Sequence, residues 1–186
     1  MAIILASQSP RRRELMGLFS VPFTVRAADI DETMDPKASP ALEVARVSAM
    51  KARAVECRPD DTVIAADTIV VCEGQVLGKP RDRDDAVRML NLLSGRTHQV
   101  MTGLTVLRGE KCVTHTEITD IRFKTLSQQE ILDYIQTGDP MDKAGSYGIQ
   151  SGAALFVEGI CGDYYNVVGL PVCRLGQILK SLEESQ

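Results

Sequence analysis

No stretch of this 186-residue chain comes near the ~18 consecutive apolar residues of a membrane-crossing helix, and the N-terminus lacks the basic region and apolar block of a secretory signal. Membrane spanning and secretion are therefore not expected, and the cytoplasm is the natural setting. Cysteines are scattered: Cys57, Cys72, Cys112, Cys161 and Cys173 are odd in number and form no C-x-x-C pair. That pattern fits buried, reduced thiols better than a disulfide framework or a zinc site. Two histidines add little toward a soft-ligand metal centre. An excess of positive charge is missing too. The net charge is -4 with the signs interspersed, which argues against a broad nucleic-acid-binding surface but leaves room for a local cationic pocket holding a small anion. Internal repeats, linkers and low-complexity segments are also absent, so a single domain over residues 1–186 is expected.

Two further absences narrow the chemistry. Gly74-x-x-x-Gly78-Lys79 invites a P-loop reading, but its spacer is one residue short, and Pro80 stands where Ser or Thr should bind magnesium. A Walker-type kinase or ATPase is thereby disfavoured. Ser7, Asp67 and His98 are all present, yet Ser7 lacks a Gly-x-Ser-x-Gly elbow. His98 opens an apparent strand, where a hydrogen-bonded structural histidine is the ordinary reading.

What the chain does contain is an alternation of apolar runs and helical patterns. Strands are expected at Ile3 to Ala6 and Phe23 to Arg26, with helices at Pro10 to Leu18 and from Ser39-Pro40 to about Cys57. Thr62 to Ala66 reads as a buried strand that ends at Asp67, followed by a hairpin of Ile69 to Cys72 and Gln75 to Leu77 around Glu73-Gly74. Helices are expected at Asp82 to Leu93, after the capping box Ser127-x-x-Glu130 as far as Gly138, and at Pro171 to Leu182. Two long β segments, His98 to Leu107 and Lys111 to Phe123, flank Arg108-Gly109-Glu110. Long antiparallel pairing inside an α/β rhythm predicts a mixed central sheet flanked by helices.

The charged residues then acquire a pattern. Ser9-Pro10 is a strong helix start, so Arg11, Arg12 and Arg13 fall in the opening turn, where the helix dipole opposes them unless an anion binds. Asp29-Ile30-Asp31-Glu32 is an acidic loop of the kind that is usually only solvated. Beside an anion pocket, however, Glu32 and Asp67 offer the hard oxygens that magnesium uses together with water and phosphate. Taken alone, Asp67 reads equally well as a turn-capping residue, and Lys51 and Lys79 as surface lysines. Read together, the lysines and arginines could neutralise a polyphosphate.

The motifs Ala6-Ser7-Gln8-Ser9-Pro10-Arg11-Arg12, Ala66-Asp67-Thr68-Ile69-Val70, Gly78-Lys79-Pro80, Leu93-Ser94-Gly95-Arg96-Thr97-His98, Asp142 to Gln150 and Asn166 to Pro171 follow one another in a specific order and spacing. On these the chain resembles the Maf family of nucleoside triphosphate pyrophosphatases, in particular its branch acting on dTTP and UTP. The resemblance implies a fold similar to that of inosine triphosphate pyrophosphatases. It also implies hydrolysis between the α and β phosphates with a divalent cation, Mg2+ or Mn2+, and a homodimer. By position, Asp67 matches the family's proton acceptor, and Arg11, Thr68 and Gln150 match the positions associated with substrate selectivity. Ser7, Arg12, Lys51 and Lys79 match its phosphate-binding groups, and Glu32 with Asp67 its metal-binding carboxylates. The alternative is a non-catalytic nucleotide-binding regulator of cell division, since the family name is tied to septum formation. Binding alone would not need a carboxylate such as Asp67 in the pocket. The amide of Gln150 offers a donor and an acceptor that match N3–H and the neighbouring carbonyl of uracil or thymine, whereas cytosine presents a different edge.

Overall fold

The structure is a computed structural model that describes residues 2–184. Its elements are β1 (Ile3–Leu5), α1 (Pro10–Met16), β2 (Phe23–Val25), α2 (Pro40–Arg53), β3 (Thr62–Cys72), β4 (Gln75–Leu77), α3 (Arg83–Leu93), β5 (Thr97–Arg108), β6 (Lys111–Phe123), α4 (Gln128–Gln136), β7 (Val157–Cys161), α5 (Tyr164–Val168) and α6 (Val172–Glu184). The seven strands form one mixed sheet in the order β2-β1-β3-β5-β6-β7, with β4 paired to β3. β1 runs parallel to β2 and β3, whereas β4 and β7 run antiparallel to β3 and β6. The mixed α/β architecture expected from the chain is thus the one found. None of the described helices is long and apolar enough to cross a membrane.

The chain divides into two compact units. One comprises the residues up to Asp67, Thr102–Glu117 and the chain from Gly169 onward; the other comprises Thr68–Met101 and Ile118–Val168. In the first, Ile4, Ala6, Ala52, Val55, Val63 and Ala65 pack together as an aliphatic core beneath α2. What seats α2 is Gly103 on β5. A Cβ built there would lie 2.2 Å from the carbonyl oxygen of Val44, so only glycine lets the helix backbone come this close. Hydroxyls continue the attachment: Ser48 Oγ meets Thr105 Oγ1 at 2.8 Å, Thr105 Oγ1 meets Thr114 Oγ1 at 3.0 Å, and Thr116 Oγ1 donates to the carbonyl of Ala41 at 2.8 Å.

The second unit gathers most of a small aromatic supply. Tyr134, Tyr147, Phe123 and Phe156 meet edge to face with centroids 4.8–6.0 Å apart, and the ring of His98 joins Phe123 at 4.9 Å. His98 has the structural part expected of it, its Nε2 lying 2.8 Å from the Tyr147 hydroxyl. The expected hairpin closes with Glu73 and Gly74 both at positive φ, 50° and 76°, which the two-residue turn requires. Asp82 caps α3 by accepting from the Asp85 N–H at 2.8 Å, and the Ser127/Glu130 capping box opens α4.

Three expectations need correction. β3 does not end at Asp67 but runs on to Cys72, with every side chain buried except the half-buried Thr68. A strand covered along its whole length carries no polar alternation to mark an end. α2 stops at Arg53 rather than near Cys57, because Val55 drops into the core and the carbonyl of Glu56 accepts from Arg26 Nη1 at 3.0 Å. The cysteines are all free, but only Cys72 is buried; Cys57, Cys112, Cys161 and Cys173 are exposed.

Two outcomes follow. Gly103→Ala must push α2 off the sheet or strain it, and equilibrium denaturation is expected to show a loss of about 1–3 kcal/mol, the range for overpacking. His98 carries a pKa lowered to about 4, burial being the main cause, against an ordinary value of 6.5. The unfolded chain therefore takes up this proton first, so the stabilisation is complete above about pH 6.5 and is lost as the pH falls toward 4, on the order of 3 kcal/mol in all. Unfolding free energies between pH 7 and 4 should fall steeply in the parent and more gently in His98→Gln.

Candidate active site

β1 ends at Leu5, opposite Ile64 of β3, and the Ala6 N–H still donates to the Ile64 carbonyl at 2.8 Å before the chain turns away. Ser7 lies in that turn, its Oγ accepting from the Ser9 N–H at 3.2 Å. Ser9 in turn caps α1 through the Arg12 N–H, as expected. The consequence is that Arg12 is carried inward. Its side chain is buried, with Nε donating to the Gly169 carbonyl at 2.8 Å and Nη1 to the Ala66 carbonyl at 2.7 Å and to Ser7 Oγ at 3.3 Å. A guanidinium with several fixed donors suits this convergence of oxygens better than an ammonium would. Burial lowers the pKa of Arg12, while the charges of Asp67 and Glu32 act to raise it, which places all three in one electrostatic neighbourhood.

Asp67 therefore sits not at the end of β3 but just past the end of β1. Along β3 it lies between the segment paired with β1, Thr62–Ile64, and the segment paired with β4, Val70–Cys72. The carboxylate is largely buried, and Lys51 Nζ donates to its Oδ1 at 2.7 Å. The same ammonium lies 2.9 Å from Glu32 Oε1. Lys51 is delivered by α2, whose apolar face is already committed to the sheet. Glu32 is delivered by the acidic loop, which α2 also tethers: the Asp35 N–H donates to Glu43 Oε2, and Arg46 Nη2 donates to the Thr33 carbonyl, both at 2.8 Å. Glu43 and Arg46 are themselves paired at 2.8 Å. Their part was not foreseen, although an acid and a base three apart on a helix are a readable sign of such a pair.

The structure thus brings Ser7, Arg12, Glu32, Lys51 and Asp67 together in the first unit. Arg11, also in that unit, is half-buried. Thr68 follows Asp67 on the strand and is half-buried. Lys79 is exposed two residues after β4, and Gln150 is exposed within the turn Gly148–Ser151; all three belong to the second unit. Also unforeseen was the carbonyl of Gly169, whose φ of 121° is open to glycine alone.

Among the described residues no group of three or more His, Cys, Asp and Glu forms a metal cluster. What exists is a pair of carboxylates sharing one cation. Such a pair fits a hard divalent ion, which commonly takes one or two protein carboxylates and fills its shell with water and phosphate oxygens. The ammonium of Lys51 between the two acids shows that this locus favours positive charge.

A mixed α/β fold of this kind is known from solved structures. A HAM1 protein from Coxiella burnetii superposes with a TM-score of 0.53 at 14% identity, over 97% of this chain and 100% of that one, a likeness of fold alone. The sequence is more specific. The family described as Maf-like protein matches residues 2–182, and the chain belongs to that family. A Symbiobacterium thermophilum protein named dTTP/UTP pyrophosphatase is 52% identical over 178 residues, covering 95% of this chain and 92% of its own. A Bacillus cereus protein of the same name is 48% identical over 182 residues, covering 97% and 95%.

The Lys51 pair gives a stability test. The side chains of Lys51 and Asp67 are only 14% and 11% exposed, whereas that of Glu32 is 55% exposed. Lys51→Gln leaves a buried carboxylate without its partner. Denaturation should show a loss above the ~1 kcal/mol of surface pairs and approaching the ~3–5 kcal/mol of buried ones. Glu32→Gln should cost less than about 1 kcal/mol, and an equal cost for the two variants would contradict the asymmetry.

Proposed function

We propose that this chain is a nucleoside triphosphate pyrophosphatase that hydrolyses UTP and dTTP between the α and β phosphates, releasing the monophosphate and pyrophosphate. Two relatives at about half identity over nearly the whole chain carry that activity in their names. The observation that carries the reading is the buried carboxylate of Asp67, held by Lys51 and joined by Glu32. A module that only bound nucleotides would have cause to avoid two acids beside its cations, since they repel the phosphates. A hydrolase has a use for both.

In this reading Asp67 accepts the proton of the attacking water, and Lys51 holds its carboxylate in one orientation until the substrate arrives. Glu32 and Asp67 are the residues that would hold magnesium or manganese, whose charge on the phosphate oxygens assists the departure of pyrophosphate. Ser7, Arg12, Lys51 and Lys79 are the phosphate-binding groups of this reading. Within the first unit the bonds of Arg12 to Ala66 and Gly169 also keep β3 and α1 in place. Arg11, Thr68 and Gln150 bear on the choice of substrate, Gln150 through an amide that matches N3–H and a carbonyl of uracil or thymine. A cytoplasmic homodimer is part of the proposal; sedimentation showing only monomer at micromolar concentration would remove that part.

The test is pyrophosphate release from UTP, dTTP, CTP and GTP. UTP and dTTP should be the good substrates, with CTP poorer by about tenfold or more, the scale of one or two mismatched hydrogen bonds. Asp67→Asn should fold normally and lose at least ~10²–10⁴ in kcat, the usual contribution of a general base. Chelation should abolish turnover, and magnesium or manganese should restore it. Near-parental turnover in a folded Asp67→Asn protein would remove Asp67 from the mechanism, and a preference for GTP would remove the pyrimidine assignment.

A further inference from the structure

Gln150 lies in a stretch, 139–156, that contains no strand and is built from 3-10 turns at Asp139–Asp142, Ala144–Ser146 and Gly152–Phe156. A glutamine on such a segment is a poor reader of a base unless something else orders its backbone. The residues on both sides of it are in fact ordered by a single phenol. Tyr134, on α4, buries its ring against Phe156 with centroids 5.3 Å apart. Its hydroxyl accepts from the Gly148 N–H at 3.0 Å and donates to Asp139 Oδ2 at 2.5 Å. Ser151, on the other side of Gln150, bonds to the same carboxylate oxygen, while its Oγ lies 2.9 Å and its N–H 3.2 Å from the carbonyl of Gly148.

Lys143 completes the arrangement. Its ammonium donates to Asp139 Oδ1 at 2.9 Å and to the Asp139 carbonyl at 2.6 Å. Its methylenes lie across Gly148, where a Cβ would stand 2.7 Å from Lys143 Cε. Burial would by itself raise the pKa of Asp139, but the bonds from Ser151, Tyr134 and Lys143 hold it below its ordinary value. Burial, then Asp139, raises that of Tyr134. At neutral pH the phenol is thus the donor and the carboxylate the acceptor. The same stretch reaches a second motif, since the Gly145 N–H donates to the Gly78 carbonyl at 3.0 Å, immediately before Lys79.

We propose that Tyr134 is a positioning residue for base selectivity, which through Gly148, Asp139 and Ser151 holds the backbone of Gln150 in a preordered turn. The proposal rests on the reading of Gln150 as the group that meets the base. Without the hydroxyl, Gly148 loses its acceptor and Asp139 a donor, so the turn keeps only the bonds of Ser151 and Lys143 and part of its ordering is deferred until substrate binds. Ordering the backbone of even one residue corresponds to about a five- to thirtyfold loss of affinity.

The experiment measures kcat and KM for UTP, dTTP and CTP in the parent, Tyr134→Phe, Gln150→Ala and the double variant. Ser151→Ala, alone and with Gln150→Ala, takes the place of Tyr134→Phe if the phenylalanine protein does not fold. Tyr134→Phe is expected to lower the UTP-over-CTP ratio of kcat/KM about five- to thirtyfold. The change should fall mainly on KM for UTP, with kcat held within about twofold. The double variant should show the ratio of Gln150→Ala alone. A ratio kept in Tyr134→Phe, or lowered by the same factor in both backgrounds, would overturn the proposal while leaving Gln150 as the reader. A ratio kept in Gln150→Ala would overturn the reading itself, and the proposal with it.

Discussion

The ion triad of Glu32, Lys51 and Asp67 is the constraint on which the rest of the first unit turns. Burying a carboxylate is costly unless a cation and hydrogen bonds compensate, and here one ammonium at 2.7 Å does most of that work. Its placement depends on features well away from the charges. Gly103 admits the α2 backbone to the sheet, the hydroxyls of Ser48, Thr105 and Thr114 keep it there, and Glu43 with Arg46 tethers the loop that carries Glu32. The apolar packing of a helix thereby becomes the accuracy of a charged site.

Arg12 is the second element of that design. Arginine at the start of a helix is unfavourable to the dipole, which is why it pointed toward an anion. In the fold it answers a different need as well. Its guanidinium closes on the carbonyls of Ala66 and Gly169, so α1, β3 and the approach to α6 are joined by one side chain immediately next to Asp67. The carboxylates of Asp67 and Glu32 balance the charge that this burial would otherwise isolate.

The second unit solves a different problem. It must hold a long irregular segment that contains no strand, and it does so with an aromatic cluster capped by polar bonds. Tyr134 belongs to both parts, its ring packed against Phe156 and its hydroxyl tied to Gly148 and Asp139. His98 is similar in kind, an aromatic ring that stays neutral in the cluster and touches Tyr147 through one nitrogen.

Local signals were read correctly from the chain because their physics is local. Ser9 and the Ser127/Glu130 box each satisfy N–H groups within a few residues, and Gly74 supplies the positive φ that the hairpin turn needs. Family motifs likewise named Ser7, Arg12, Glu32, Lys51 and Asp67, which the fold gathers in one unit. What the chain did not disclose is whatever depends on distant neighbours. The continuation of β3 through Asp67 comes from sheet partners that keep it extended, and the early end of α2 from Val55 and Arg26. The exposure of four cysteines depends on which faces the core leaves uncovered, and the convergence of Tyr134, Asp139, Lys143 and Ser151 on the turn beside Gln150 on how an irregular segment folds back over α4. Capping and turn geometry are settled within a few residues, so sequence determines them. Burial, strand extension and ion pairing are settled by groups far apart in the chain, and only the tertiary structure decides those.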